Sequence, residues 1–137
     1  MYQPIIGAIL KKLIEEYQKI RVGLPKFNYL KHIKEYQKII SQKSTIDNEL
    51  KKRLEKFYPY LENFQNQNWP PVLCHHDLNP TNIIKTDSGM KIIDWEFAGY
   101  GHPKYDLYCI GFEDKDDFLF GELVNIINNL WLMIDNN

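Results

Sequence analysis

The chain has 137 residues, a length that favours a single domain over residues 1–137. Hydrophobic residues account for 44% and charged residues for 26% of the sequence, proportions that are ordinary for a globular protein. Seventeen basic residues against eighteen acidic ones leave a net charge of −1, so no basic excess points to nucleic acid as a partner.

Targeting signals and disulfides are not predicted either. No apolar run approaches the length of a membrane span, and the sequence after Met1 does not have the pattern of a signal peptide. The two cysteines, Cys74 and Cys109, are too few for a disulfide framework. We therefore predict two reduced thiols in a cytoplasmic protein with no membrane partner.

The first half of the chain predicts three helices. Apolar residues recur every three or four positions from about residue 3 to residue 20, and Gly23 to Pro25 ends this pattern. A second stripe of the same kind predicts a helix over residues 28–41. Ser44, with Asp47 three residues later, has the pattern of a helix N-cap, so the third predicted helix begins there.

Short strands follow. Residues 72–74 are apolar and come after two prolines, which predicts a buried strand. Residues 75–81 are polar and contain an Asn-Pro pair, so they are predicted to form a loop. Residues 82–85 and 90–93 predict two antiparallel strands around a turn at residues 86–89.

The remaining residues predict two further helices, over 105–112 and 118–134. The acidic segment 113–117 lies between them, and we interpret it as the start of a surface helix rather than as a metal site.

Three polar side chains lie in the predicted loop or at the ends of the predicted hairpin. Asp77 lies in the loop, Asn82 begins the second strand and Asp94 follows the third, so a hairpin can bring all three together. Two carboxylates and a carboxamide suit magnesium, and one carboxylate can accept a proton from an attacking hydroxyl. This set predicts phosphoryl transfer. The alternative is structural, with Asp77 and Asn79 capping a turn and Asp94 ending a strand.

The same residues carry a resemblance to a known family. Residues 75–82, HHDLNPTN, resemble the catalytic loop of the protein-kinase-like small-molecule kinases, which include choline, ethanolamine and thiamine kinases and aminoglycoside phosphotransferases. Residues 92–99, IIDWEFAG, resemble the metal-binding segment of that family, and residues 102–107, HPKYDL, resemble the segment that follows it. Residues 74–78 together with 94–99 are most similar to the LicA-type bacterial choline kinases.

The resemblance implies a role for each matching residue. Asp77 would be the catalytic base, and Asn82 and Asp94 would hold Mg²⁺. His75 would be the structural histidine of the loop, and Asp106 would be the buried acid that supports the loop. ATP would be the co-substrate.

The acceptor site is predicted from the residues after Asp94. Aromatic faces and a carboxylate hold a quaternary ammonium well, so Trp95, Glu96 and Tyr100 would suit choline. The alternative is that the rings of Trp95 and Tyr100 are packing residues. Ethanolamine, thiamine and aminoglycosides are alternative acceptors, since kinases for them could share the same catalytic residues.

The predicted fold is mainly α with a small β-hairpin, an α+β arrangement that agrees with the C-terminal lobe of the protein-kinase-like fold. In that fold an N-terminal lobe clamps the nucleotide with a sheet, a phosphate-covering loop and a lysine, and no such pattern precedes residue 3. We expect this chain to be such a lobe, with its site in residues 72–106. Alone, the lobe should have little kinase activity. It would pair with a separate N-terminal lobe or with a second copy.

Two functions of other classes compete with a kinase. A non-catalytic module could bind choline or oligomerise without doing chemistry. A metallohydrolase could use the histidines near Asp77, but adjacent residues of an extended segment point in opposite directions and the usual spaced zinc ligands are not seen.

Overall fold

The structure, a computed structural model, describes residues 4–112 and 118–135. These residues divide into two compact units, one made of residues 4–27 and 69–112 and the other of residues 28–68 and 118–135. The prediction of one domain over residues 1–137 stays a prediction. The acidic segment 113–117 lies outside the described residues, as do residues 1–3.

The chain forms five α-helices and four strands within these ranges. The helices are α1 (Pro4–Tyr17), α2 (Tyr29–Lys43), α3 (Asn48–Asn66), α4 (Tyr105–Cys109) and α5 (Phe118–Asp135). The strands are β1 (Val72–Cys74), β2 (Ile83–Thr86), β3 (Gly89–Ile92) and β4 (Gly99–Gly101). This confirms the mainly helical α+β fold. No helix in the described part of the chain is long and apolar enough to cross a bilayer.

The unit of residues 28–68 and 118–135 is a helical bundle of α2, α3 and α5. Each helix turns an apolar stripe inward, and the stripes bury large side chains such as Tyr29, Leu54, Phe64 and Leu123. The rings of Tyr29 and Phe64 lie 5.8 Å apart. The basic side chain of Arg53 on α3 pairs with Glu122 on α5.

The N-caps of this bundle correct one prediction. Asn28 caps α2, and its side chain accepts the Lys31 N–H at 3.0 Å. The cap of α3 is Asp47, which accepts the Glu49 N–H at 2.6 Å, so the prediction of Ser44 as this cap was wrong. Ser44 ends α2 instead, because its own N–H donates to the Ile40 carbonyl. A carboxylate close to the first free N–H groups outcompetes a hydroxyl four residues before the helix.

The unit of residues 4–27 and 69–112 packs α1 against the strands and α4. Leu10, Ile14 and Tyr17 of α1 share one apolar cluster with Leu78 and Ile110, and partly buried side chains of β2 and β3 pack against it. The amphipathic pattern of the sequence thus places α1 directly behind the polar loop that follows β1.

Two small antiparallel sheets lie in this unit. β2 pairs with β3, with Ile83 opposite Ile92, and this confirms the predicted hairpin. Its two-residue turn ends at Gly89, whose φ of 122° is a conformation that glycine adopts readily. The prediction that Asn82 begins the second strand was wrong, because Asn82 lies in the 3₁₀ turn Pro80–Asn82 and β2 begins at Ile83.

The second sheet was missed by sequence analysis. β1 pairs with β4, with Leu73 opposite Tyr100, and β4 consists of only Gly99, Tyr100 and Gly101. Glycines are unfavourable in strands, so no pattern pointed to it. α4 also ends earlier than predicted, at Cys109, because Gly111 has a φ of 95°.

Candidate active site

Asp106 is fully buried at the start of α4 and holds the loop of residues 75–82, hereafter the 75–82 loop. Its Oδ2 accepts the backbone N–H of His75 at 2.6 Å and the hydroxyl of Tyr17 at 2.6 Å. Its Oδ1 accepts the backbone N–H of His76 at 3.1 Å. Burial raises the pKa of Asp106, and these hydrogen bonds oppose the rise. The carboxylate therefore satisfies two buried N–H groups of the loop.

The backbone at His76 needs this support. His76 has a φ of 67°, in the left-handed region, which costs a residue with a side chain roughly 1 kcal/mol or more. Its ring stacks on Phe27, with 3.9 Å between the ring centroids, and its Nδ1–H donates to the Phe97 carbonyl at 3.1 Å. The chain therefore bends at His76, directly before Asp77.

His75 links the 75–82 loop to the end of β3. Its Nδ1 accepts the backbone N–H of Asp77 at 3.1 Å, so the proton of the neutral ring is on Nε2. That Nε2–H donates to the Ile93 carbonyl at 2.8 Å. The buried His75 ring, in a single tautomer, thus connects Ile93, the residue before Asp94, with Asp77, the candidate base.

Two asparagines orient Asp77. The Nδ2 of Asn82 donates to the Asp77 carbonyl at 2.8 Å and to its Oδ2 at 3.1 Å. The Nδ2 of Asn79 donates to the Asp77 carbonyl and to its Oδ1, both at 3.2 Å. The pKa of Asp77 is raised chiefly by burial and also by the charge of Asp94, while the hydrogen bonds from Asn82 and Asn79 lower it. Asp77 is a fixed carboxylate whose proton affinity is above the usual value for aspartate.

Asn82 and Asp94 lie at the two ends of the hairpin. The N–H of Ile93 donates to the Asn82 carbonyl at 2.9 Å, which brings the residue after it, Asp94, beside the 75–82 loop. Asp94 has a φ of 61°, and its side chain is exposed. This confirms the expected proximity of the hairpin ends, while the roles of these residues stay predictions.

The oxygens of this pair fit a hard cation. Because both protons of Asn82 Nδ2 point to Asp77, its Oδ1 is the atom left over, in a side chain that is 6% exposed. Within residues 4–112 and 118–135, nothing donates a hydrogen bond to that Oδ1 or to the carboxylate of Asp94. A buried amide oxygen without a donor and a nearby carboxylate are the ligand types that Mg²⁺ prefers.

The three predicted acceptor residues differ in their surroundings, and their role as an acceptor site stays a prediction. Trp95 packs edge-on against Tyr17 and His75, with centroid distances of 5.1 and 4.7 Å, and its indole N–H donates to the Ile92 carbonyl. Tyr100 lies in β4, where its hydroxyl donates to the Val22 carbonyl at 2.7 Å. The side chain of Glu96 is exposed. Trp95 nevertheless keeps 37% of its surface exposed.

A groove of about 400 Å³ runs along the exposed side of Trp95. It lies between α1 and β3 and is lined by Glu16, Tyr17, Ile20, Met90 and Ile92 among others.

Three residues with contacts at this site were missed as site residues by sequence analysis. Asn79 was considered only as a turn cap, which it is for Thr81, but it also orients Asp77. His76 was considered only as a ligand of the alternative metallohydrolase. Tyr17 falls in the apolar stripe of α1, so its pattern was indistinguishable from that of a core residue.

The family comparison matches most of the chain. The sequence model of the phosphotransferase enzyme family, APH, matches residues 7–125. Among solved structures, the GDP and kanamycin complex of APH(2")-IIia is similar over 98% of this chain and 51% of that chain, with a TM-score of 0.56 and 18% identity. At that identity the likeness concerns the fold, which is protein-kinase-like.

Curated proteins with known names are similar to this chain over less than half of their own length. Protein LicA of Haemophilus influenzae (strain ATCC 51907 / DSM 11121 / KW20 / Rd) is 28% identical over 110 residues, which is 79% of this chain and 41% of LicA. A thiamine kinase of Escherichia coli O9:H4 (strain HS) is 37% identical over 51 residues, which is 37% of this chain and 18% of that kinase. The chain thus spans less than half the length of these relatives.

Proposed function

The chain belongs to the phosphotransferase enzyme family, and we propose that its 75–82 loop and hairpin form the catalytic site of a kinase that transfers the γ-phosphate of ATP to a small-molecule hydroxyl. The observation that carries this proposal is the double hydrogen bond from Asn82 to Asp77, which orients a carboxylate in the loop that the hairpin ties to the residue before Asp94. A turn-capping role would need neither arrangement.

Each residue has one task in this proposal. Asp77 accepts the proton as the acceptor's oxygen attacks the γ-phosphorus and the bond to the β-phosphate oxygen breaks, which leaves ADP. Asn82 Oδ1 and Asp94 would hold Mg²⁺, which when bound neutralises charge on the phosphates. Asp106 holds the backbone amides of His75 and His76, and His75 holds the backbone amide of Asp77 itself.

The raised pKa of Asp77 suits this role. A base that holds a proton more tightly than a surface aspartate takes it up more readily from a hydroxyl, provided that it is ionised at the working pH. Burial supplies the rise, and the hydrogen bonds from Asn82 and Asn79 keep it limited. Phosphoryl transfer otherwise depends on positioning and charge, which these contacts supply.

Choline is the acceptor we propose first. The similarity of residues 74–78 and 94–99 to the bacterial choline kinases supports it. The partly exposed ring of Trp95, followed in the chain by the exposed carboxylate of Glu96, also supplies the group types that hold a quaternary ammonium. Thiamine and aminoglycosides are the alternative acceptors, since a thiamine kinase and a kanamycin complex are among the similar proteins. Ethanolamine, which resembles choline without its methyl groups, is a further alternative.

The test is transfer of labelled γ-phosphate from ATP to choline in the presence of Mg²⁺. The assay uses the full-length product of the gene. Ethanolamine, thiamine and kanamycin are assayed in parallel. Asp77→Asn should lower the rate by roughly 10²–10⁴-fold, as loss of a general base does. Asp87→Asn is the matched control, because Asp87 is an exposed carboxylate in the turn of the same hairpin.

Two outcomes would contradict the proposal. Equal activity of Asp77→Asn and the Asp87→Asn control would show that Asp77 is not the catalytic base. Calorimetric binding of choline without phosphate transfer to any acceptor, under conditions in which ATP also binds, would identify a binding module instead of a kinase.

A further inference from the structure

Tyr17, the last residue of α1, contacts both halves of the candidate active site. Its hydroxyl donates to Asp106 Oδ2 at 2.6 Å, and its ring lies edge-on to Trp95 at 5.1 Å. Asp106 in turn holds the N–H groups of the 75–82 loop, and Trp95 follows Asp94 directly. One side chain therefore joins the segment that carries the base to the segment that carries a metal ligand.

The hydroxyl is a permanent donor. Tyr17 is 7% exposed, and burial raises the pKa of its hydroxyl far above the usual range, so the proton stays on the oxygen. Asp106 Oδ2 accepts a hydrogen bond from this hydroxyl and another from the His75 N–H at the same time. Without the tyrosine donor, the buried carboxylate would lose one of three partners and its torsion angle would be less restricted.

The position of Tyr17 is itself anchored. The side chain of the next residue, Gln18, donates to the Pro103 carbonyl at 2.9 Å, three residues before Asp106. The end of α1 is thereby tied to the segment that leads into α4, the helix that carries Asp106. A fixed contact of this kind restrains its neighbours.

We propose that Tyr17 is a positioning residue, which sets the distance between Asp77 and Asp94 by holding Asp106 with its hydroxyl and Trp95 with its ring. This inference rests on the proposed phosphoryl transfer for its functional meaning, whereas its structural part can be tested without any activity. Since a misplacement of about 1 Å at reacting groups can cost 10²-fold in rate, such a residue affects kcat without touching the substrate.

The structural test is amide and indole hydrogen exchange, followed by NMR in ¹⁵N-labelled protein. Tyr17→Phe keeps the ring and removes the hydroxyl, so exchange at the His75 and His76 amides should accelerate by about tenfold, the equivalent of one buried hydrogen bond. The indole N–H of Trp95 should be unchanged. Tyr17→Leu removes the ring as well, so the indole should then exchange faster too.

Tyr58→Phe is the matched control, because it removes another tyrosine hydroxyl that donates to a side chain, that of Gln37, in the other unit. It should leave the exchange of His75, His76 and the Trp95 indole unchanged. The inference is overturned if Tyr17→Phe leaves the histidine amides as they are. It is also overturned if Tyr17→Phe fails to fold or accelerates slow amides throughout α1 equally, because Tyr17 would then serve stability alone.

The kinetic test separates this inference from the proposed function. Tyr17→Phe should lower kcat by about tenfold and leave the KM for ATP within about twofold, since one buried hydrogen bond that orients the base is lost and no substrate contact is. A rise in KM with unchanged kcat would contradict positioning. If the unmodified protein phosphorylates none of the acceptors, the proposed function fails, and the exchange measurements still decide the role of Tyr17.

Discussion

Asn82 donates both protons of its side-chain amide to Asp77, one to the carbonyl oxygen at 2.8 Å and one to the carboxylate at 3.1 Å. The same residue therefore fixes the candidate base and turns its own Oδ1 away from it. Asn79 also donates to Asp77, but its Oδ1 is taken by the Thr81 N–H and hydroxyl. Both asparagines thus orient Asp77, but only Asn82 has a side-chain oxygen left that could bind a metal ion.

This difference predicts that substitutions of the two asparagines change the dependence of activity on magnesium differently. Asn82→Ala should raise the Mg²⁺ concentration needed for half-maximal activity by about tenfold or more, because it removes a proposed ligand together with the support of Asp77. Asn79→Ala should lower the maximal rate without moving that concentration. Magnesium titrations of both variants measure this, and an equal shift in the two would show that Asn82 is not a ligand.

Asp106→Ala should destabilise the unit of residues 4–27 and 69–112 by on the order of 3 kcal/mol, because it leaves the N–H groups of His75 and His76 and the Tyr17 hydroxyl without their acceptor. Urea unfolding followed by circular dichroism gives the free energy of unfolding. Asp87→Ala, in an exposed turn, should change it by less than about 0.5 kcal/mol. Similar losses in the two variants would contradict the role of Asp106.

The corrected N-cap makes a separate prediction about α3. Asp47→Ala should lower the free energy of unfolding by about 1 kcal/mol, because the Glu49 N–H loses its acceptor. Ser44→Ala should have little effect, since Ser44 closes α2 through its backbone N–H, which alanine retains. Thermal or urea unfolding of the two variants tests this, and a larger loss for Ser44→Ala would restore the cap that the sequence pattern suggested.

His102 predicts a pH dependence of stability. Burial and the neighbouring charge of Lys104 lower the pKa of His102 to about 4, below the value of about 6.5 for an unfolded chain. Between these values the unfolded state binds the proton and the folded state does not, so His102 makes stability fall as the pH drops from about 6.5 to about 4.

Replacing the histidine isolates this contribution. His102→Gln should show a flatter loss of stability than the unmodified chain over that interval, and urea unfolding at pH 7, 6, 5 and 4 measures the difference. Parallel curves for the two proteins would mean that His102 titrates normally in the folded state.

Much of the site was predictable because its residues are close in sequence. Asp77 and Asn82 are five residues apart in one loop, and a hairpin with a two-residue turn necessarily brings Asn82 near Asp94. The α-helices were predictable for a similar reason, because apolar residues that recur every three or four positions indicate a helix with one buried face. The cap at Asp47 was missed because Ser44 matched the same pattern one turn too early.

The supporting contacts were not predictable, since they join residues distant in sequence. Tyr17 and Asp106 are 89 positions apart, and His75 and Ile93 are 18 apart. In the sequence Tyr17 is one more apolar residue of a helical stripe, and the supporting role of Asp106 was expected only from the family resemblance, without its partners. Only after α1 and α4 pack against the 75–82 loop does the tyrosine proton meet the buried carboxylate.

By itself the sequence determined the fold class, the 75–82 loop, the hairpin and the three polar residues of the candidate site, because these depend on spacing over a few residues. The tertiary structure decided how those residues are held: the tautomer of His75, the three donors on Asp106, the second sheet through β4, and the packing of Trp95. Such features depend on which buried polar groups find partners. Burial makes an unpaired group costly, and which groups are buried together is settled only when distant segments pack.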